Sequence, residues 1–192
     1  MLHGRILRSP HPHAKIRSID TRKAERVLGV KAVITAADTP KIPFCHMPVT
    51  PNKLPLCSDK VRFIGDEVAA VAALDVDIAE EAVSLIQVEY EILPAVFDPL
   101  EAMKPDAPML YDDCEKNIAS RLVRNFGDVA KGLSEADFVF EDVFELPRVA
   151  SCTLEPHGCI AQIDSQGNLT VWSSTQSITN IHEEVGIPLG LP

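Results

Sequence analysis

The chain has 192 residues, 46% of them hydrophobic and 24% charged, which suits a packed core and excludes an intrinsically disordered segment. A formal net charge of -10 argues against nucleic acid or an anionic membrane as partner, because phosphate binding needs a Lys/Arg surplus on some face. The asymmetry behind that total, 11 Lys/Arg against 4 Asp/Glu over residues 1–60, leaves the rest strongly acidic, and within a shared fold such charges interleave.

The longest apolar run, Val68 to Leu74, falls far short of the roughly 18–20 residues a membrane helix needs and suits a buried strand. Met1-Leu2-His3-Gly4-Arg5 has none of the regions of a secretory signal. Five cysteines (Cys45, Cys57, Cys114, Cys152, Cys159) form an odd, widely spaced set, which points to reduced thiols and a cytoplasmic protein. Asn168-Leu169-Thr170 matches a glycosylation acceptor by chance in that compartment.

In chain order, Leu2 to Leu7 reads as a strand, and the prolines of Arg8-Ser9-Pro10-His11-Pro12-His13 break it into a loop. Asp20 is placed to cap a helix over Thr21 to Leu28, Gly29 stands where a helix-terminating glycine belongs, and Val30 to Thr35 is a β-branched strand. Residues 36–58, with Pro40, Pro43, Pro48, Pro51 and Pro55, read as a long excursion. Glu67 to Leu74 follows as a buried strand. Asp77-Ile78-Ala79-Glu80 then starts a helix with Ile78, Ala82, Leu85 and Ile86 on one face, and Gln87 to Leu93 alternates as a half-exposed strand.

Pro94, Pro99, Pro105 and Pro108 mark a connector, so a first domain is expected to end near residue 110. Gly127-Asp128 caps a short helix reaching Ala136, and Phe138, Phe140, Val143 and Phe144 predict a bulged strand. Gly158 to Ile163 and Leu169 to Ser174 form a hairpin about the turn Asp164 to Asn168. Ile178 to Ile187 is a helix, after which nothing remains to close a second sheet, so the second domain is expected to be cut off.

The nine glycines never assemble G-x-G-x-x-G or G-x-x-x-x-G-K, and no G-x-S-x-G or H-E-x-x-H occurs, which removes the familiar nucleotide cradles, the hydrolase elbow and the zincin helix. Cys152, His157 and Cys159 offer zinc-type ligands, but paired spacing and a fourth ligand are missing; Cys45-His46 and Cys57 share that weakness. His11 and His13, in a proline-bounded loop, are expected to hydrogen-bond backbone carbonyls. Gln176 follows Trp172-Ser173-Ser174-Thr175 at a strand end and precedes a helix. There a side chain either projects toward a ligand or caps the helix, and the residues alone leave both readings open.

The string Leu7-Arg8-Ser9-Pro10-His11-Pro12-His13-Ala14-Lys15-Ile16, with Gly29-Val30-Lys31-Ala32-Val33 and Asp59-Lys60-Val61-Arg62-Phe63-Ile64-Gly65-Asp66-Glu67-Val68-Ala69-Ala70-Val71, resembles the large subunit of the xanthine oxidase family of molybdenum hydroxylases. The likeness continues through Val88 to Val96, Asp98-Pro99, Gly127-Asp128, Ala136-Asp137, Leu154-Glu155-Pro156-His157 and Ser174-Thr175-Gln176. It implies an α/β (α+β) chain: an a/b hammerhead domain over residues 1–110, then residues 111–192 as the incomplete start of a mixed-sheet molybdopterin-binding domain. In such enzymes the glutamine of a Thr-Gln pair contacts an oxo ligand of molybdenum, and Gln176 holds the matching position. The family's base is a glutamate near the far C-terminus, so no residue here takes that role.

The resemblance further implies a molybdopterin cofactor in its cytosine dinucleotide form, with [2Fe–2S] clusters and FAD on partner subunits or domains. It also implies the remainder of the molybdopterin subunit as partner, in a dimer of heteromers. The expected activity is oxidation of an aldehyde, N-heterocycle, aromatic thioester or carbon monoxide, with the chain by itself catalytically silent. The opposing expectation is a non-catalytic assembly module of a split complex.

Overall fold

The computed structural model describes residues 1–44 and 53–191. Two compact units divide the chain: unit 1 comprises Met1–Ser120 and Thr179–Pro192, and unit 2 comprises Arg121–Ile178.

Unit 1 is built on two three-stranded antiparallel sheets. Strand β1 (His3–Arg8) pairs with β5 (Glu67–Ala73), and β5 pairs with β3 (Val30–Thr35), giving the order β1-β5-β3. The second sheet sets β2 (Ala14–Asp20) between the two-residue β4 (Lys60–Val61) and β6 (Gln87–Ile92), in the order β4-β2-β6. The apolar run around Val68 is thus the central strand of its sheet.

Strand β2 was not foreseen, because Ala14-Lys15-Ile16-Arg17-Ser18-Ile19-Asp20 alternates only weakly. Its identity comes from its neighbours, with Ile16 opposite Tyr90 and Ile19 opposite Val88 across β6. Ala14 lies opposite Val61 of β4.

The helix expected over Thr21 to Leu28 is shorter. Helix α1 spans Arg22–Glu25, and Thr21 rather than Asp20 occupies its cap position, with no side-chain cap bond. Asp20 is instead engaged by Arg22, accepting from its backbone N at 3.0 Å and from its guanidinium Nε at 2.9 Å. Gly29 has φ +99°, but with α1 ended at its C-cap Arg26 it does not terminate the helix as expected; it turns the chain into β3 instead. A Cβ there would stand 2.8 Å from Ile78 Cδ1, so a side chain would strain the backbone and push that methyl aside.

Helix α2 (Val76–Ser84) starts ahead of the expected Asp77, because Asp75 is the N-cap and its carboxylate accepts from Asp77 N at 2.8 Å. Its buried residues are Ala79 and Ala82. Against the alanine-rich β5, these small side chains let the helix approach the sheet closely.

Two buried clusters form the core of unit 1. Ala24, Ala69, Val71, Ala82 and Ile86 make one, and Ala14, Val61 and Val68 the other. Ile19 and Val88 pack against both and join them into one apolar interior.

The connector after β6 is more ordered than its prolines suggest. It contains α3 (Pro99–Ala102), with Pro99 at the tolerated first turn and Asp98 accepting from Leu100 N and Glu101 N, both at 2.8 Å. A tight turn at Glu115–Asn117 follows, with Lys116 at φ 53° and Asn117 at φ 56°.

Unit 2 holds α4 (Val129–Glu135) and the hairpin β7 (Cys159–Ile163) and β8 (Leu169–Ser173). Asp128 caps α4 by accepting from Lys131 N at 2.9 Å, as expected. The hairpin register runs from Cys159 opposite Ser173 to Ile163 opposite Leu169. Asp164 closes the turn by accepting from Gln166 N at 2.8 Å and Asn168 N at 2.9 Å. The strand expected across Phe138 to Phe144 is absent: that stretch has no regular secondary structure, with Phe140 91% exposed. A strand exists only through its pairing, and no segment of unit 2 pairs there.

Helix α5 (Ile178–Leu189) extends past the expected Ile187 and carries Pro188 in its last turn; Gly190, at φ +65°, ends it. Ile178 belongs to unit 2, and the helix from Thr179 onward to unit 1.

Candidate strand-end site at Gln176

Gln176 sits between β8 and α5. At the end of β8, Ser174 is tied to Gly158 at 3.4 Å, donating through Oγ to Gly158 O and accepting from Gly158 N. One residue on, Thr175 Oγ1 accepts from Ser177 N at 3.1 Å, a local turn that redirects the chain into α5. The hydroxyls of both residues before Gln176 are thereby committed to backbone. Its own side chain is exposed and takes part in none of these bonds. The bond to Ser177 N lies ahead of α5, which begins at Ile178, and the Gln176 side chain makes none to the helix's first turn. What remains is an amide with both donors and the acceptor free, on a segment held at a strand end.

The other sequence candidates fare differently. His13 is buried, and its Nδ1 lies 2.6 Å from Pro94 O, so it does bond a carbonyl as expected, linking the start of β2 to the end of β6. Its Nε2 is buried with no partner. The His11 ring instead meets Tyr90 edge-on, with centroids 5.0 Å apart. Cys152 and His157 lie on exposed coil and Cys159 begins β7. No group of three His, Cys, Asp or Glu side chains that could hold a metal occurs among the described residues, so Cys152, His157 and Cys159 are not gathered into one. Cys45 and His46 lie outside the described residues.

Cys57 lines a cavity of about 350 Å³ in unit 1, beside Arg62, Asp66 and Tyr111. Burial pushes its thiol well above the usual range, and the Asp66 carboxylate adds to the shift. This is the opposite of what an activated thiolate needs. Burial likewise raises the Tyr111 phenol, with the Arg62 guanidinium opposing. In all, the cavity carries Lys41, Lys53 and Arg62 against Asp59, Asp66, Glu67 and Asp113, a nearly even mixture that selects no ligand charge.

The connector clamp was missed by sequence reasoning. Asn117 Oδ1 accepts from Leu110 N at 2.9 Å, and its Nδ2 donates to Ala102 O at 2.9 Å and Pro108 O at 3.0 Å. From β4 and its following turn, Arg62 Nε donates to Leu110 O at 3.0 Å, its guanidinium lies 4.6 Å from the Tyr111 ring centroid, and Lys60 Nζ pairs with Asp112 at 3.2 Å. The available signal was an Asn in a region of prolines, a residue type that tolerates left-handed backbone.

Residues 1–94 match the family described as aldehyde oxidase and xanthine dehydrogenase, a/b hammerhead domain, and residues 110–192 match the molybdopterin cofactor-binding domain. Among curated proteins, a probable xanthine dehydrogenase subunit of Bacillus subtilis is 43% identical over 92% of this chain and 23% of its own length. The carbon monoxide dehydrogenase large chain of Afipia carboxidovorans is 38% identical over 100% of this chain and 26% of its own. Among solved structures, the aldehyde oxidoreductase of Desulfovibrio gigas superposes with a TM-score of 0.85 at 25% identity, covering 100% of this chain and 22% of that one. The chain thus spans about a quarter of the length of these relatives. Two consecutive family matches in the family's order, on a fold shared with a solved member, place this chain in the aldehyde oxidase and xanthine dehydrogenase family, with its a/b hammerhead and molybdopterin cofactor-binding regions.

Proposed function

We propose that this chain is part of the large subunit of a molybdenum-dependent hydroxylase or dehydrogenase, with Gln176 as a contact to the molybdenum centre. The observation that carries the reading is the Gln176 amide, exposed and uncommitted between β8 and α5 while its neighbours' hydroxyls bond backbone. Such an amide fits an oxygen-rich group, donating through Nε2 while its carbonyl oxygen remains free to accept. When bound, the cofactor supplies the two-electron redox chemistry. This chain's part is to hold one amide at a set place, through the Ser174 and Thr175 bonds that precede it. One amide is a single contact where a large pterin needs many polar partners, so the remaining contacts and the general base belong to the rest of the subunit.

The same reading assigns residues 1–110 to the hammerhead domain and 111–192 to the start of the cofactor-binding domain, supported by family matches that end at 94 and begin at 110. The cofactor is the cytosine dinucleotide form of molybdopterin, the partners are iron–sulfur and FAD subunits or domains in a two-fold assembly, and the compartment is the cytoplasm. Among the described residues no helix is long and apolar enough to cross a membrane. The substrate class comprises aldehydes, N-heterocycles, aromatic thioesters and carbon monoxide.

The test is the complete subunit, purified with its natural partners. We expect iron, flavin and molybdenum to co-purify. Gln176→Ala should lower turnover about tenfold or more while leaving the folded state intact, because it removes a ligand contact from an exposed position. Wild-type turnover in Gln176→Ala would reject the site, and a preparation active without iron or flavin would reject the partners.

A further inference from the structure

Strand β5 of unit 1 carries the unbroken apolar run Val68 to Leu74 rather than an alternation of apolar and polar residues. An antiparallel strand with one wet face alternates, whereas an unbroken apolar run belongs to a strand covered on both faces. One face of the β1-β5-β3 sheet is covered: Leu7, Val33, Ala69 and Val71 lie in the interior with Ala24, Ala82 and Ile86.

The register defines the other face. Ile6 and Ile34 flank Ala70, and Gly4 and Ala32 flank Ala72. Continuing the pairing of His3 with Ala73 by one step sets Leu2 opposite Leu74. No side chain in these rows is polar. They are also open: Ile6 is 45% exposed, Ile34 38%, Leu2 49% and Leu74 54%. A single apolar side chain at a surface is ordinary, but consecutive cross-strand rows of them form a contiguous patch of the kind that marks an interaction site. Beyond Ile6, Arg8 pairs with Glu67 at 2.6 Å, so a charged pair borders the apolar floor as at the rim of an interface.

The relief of the face sets the shape it takes. Ala70 and Ala72 make a low floor along the central strand. Ile6 and Ile34 stand on either side of it, two strand spacings apart, or roughly 9–10 Å between backbones. An α-helix is about 10 Å across, and on the covered side helix α2 already brings small residues, Ala79 and Ala82, toward β5.

We propose that this face seats an amphipathic helix from the part of the large subunit outside these 192 residues, laid over Ala70 and Ala72 between Ile6 and Ile34. The inference rests on the reading of the chain as part of a longer large subunit, and the chain spans about a quarter of the length of its relatives. Surfaces that meet and part keep about as much polar area as ordinary surface, whereas this floor has none, like a domain core cut in half. That composition favours a permanent cover from the same polypeptide over a separately made subunit. A second copy would set trough against trough and leave a void above the alanines.

The experiment uses the complete enzyme with its natural partners. Ala32→Cys places a thiol on the floor, and its rate of maleimide labelling, mapped by mass spectrometry, is compared with that in the guanidinium-unfolded protein. Native protection of at least about a hundredfold is expected of a covered position. Leu74→p-benzoylphenylalanine, at the rim where a large side chain already stands, is then irradiated and its crosslink mapped. The expected product joins residue 74 to a segment of the same polypeptide outside these 192 residues, with apolar residues at helical spacing. A thiol labelled as fast as in the unfolded protein, or a probe that joins to nothing, overturns the proposal. So does a crosslink to residues 121–178, to another subunit, to a second large subunit at doubled mass, or to a segment without helical spacing. Should the probe at position 74 prevent assembly, Leu2→p-benzoylphenylalanine replaces it. Molybdenum measured in the same preparation tests the cofactor reading separately, because neither labelling nor crosslinking needs metal or turnover.

Discussion

Residues of one chemical type serve different ends here according to their burial. Cys57 is partly buried beside the Asp66 carboxylate, and both burial and that charge raise its thiol. Cys152 and Cys159 are exposed. Since the thiolate is the reactive form, brief alkylation of the 192-residue chain with iodoacetamide at about pH 8 should label Cys152 and Cys159 and spare Cys57. Peptide mapping by mass spectrometry reads the result, and early labelling of Cys57 would contradict the packing around it. The histidines divide in the same way: His13 is buried against Pro94 O, while His11 packs against an aromatic ring. Sequence placed both in one proline-bounded loop, and only the fold separated their roles.

At the level of elements, the passage from α1 to β3 depends on Gly29. Its φ of +99° disfavours any side chain, and Ile78 of α2 stands where a Cβ would go. Gly29 O also accepts from Leu74 N at 3.0 Å, so the turn is fastened to the end of β5. Gly29→Ala should therefore destabilise the chain by about 1–3 kcal/mol, chiefly through backbone strain, since the Ile78 methyl can move. Chemical denaturation followed by circular dichroism measures it, and an unchanged midpoint would refute the strain. Strand β5, helix α2 and the β7–β8 hairpin were legible in advance because their signals are local: an apolar run, an acidic cap, and a turn of Asp, Gly and Asn. Strand β2 was not, since its register comes from β6 and β4, and the two-residue β4 has too little sequence to announce itself.

Across the whole molecule, burial is concentrated in one of the two units. Ala69, Val71 and Val68 of unit 1 are buried, whereas between Arg121 and Ile178 no side chain is. A two-stranded hairpin without a covered face is marginal in water. In the 192-residue chain, amides of β7 and β8 should exchange with solvent much faster than those of β5, as followed by exchange and mass spectrometry; equal protection would show that unit 2 is stable unaided. Sequence by itself determined the family, the two matched regions, the elements with strong local signals and Gln176 as the residue to test, because motif order and short-range periodicity are written along the chain. Tertiary structure decided the strand order in both sheets, the shortened α1, the coil at Phe138 to Phe144, the dispersal of Cys152, His157 and Cys159, and the clamp in which Asn117 reaches Ala102, Pro108 and Leu110. Each of these depends on which distant segment lies alongside, and pairing across space leaves no periodic trace in either partner.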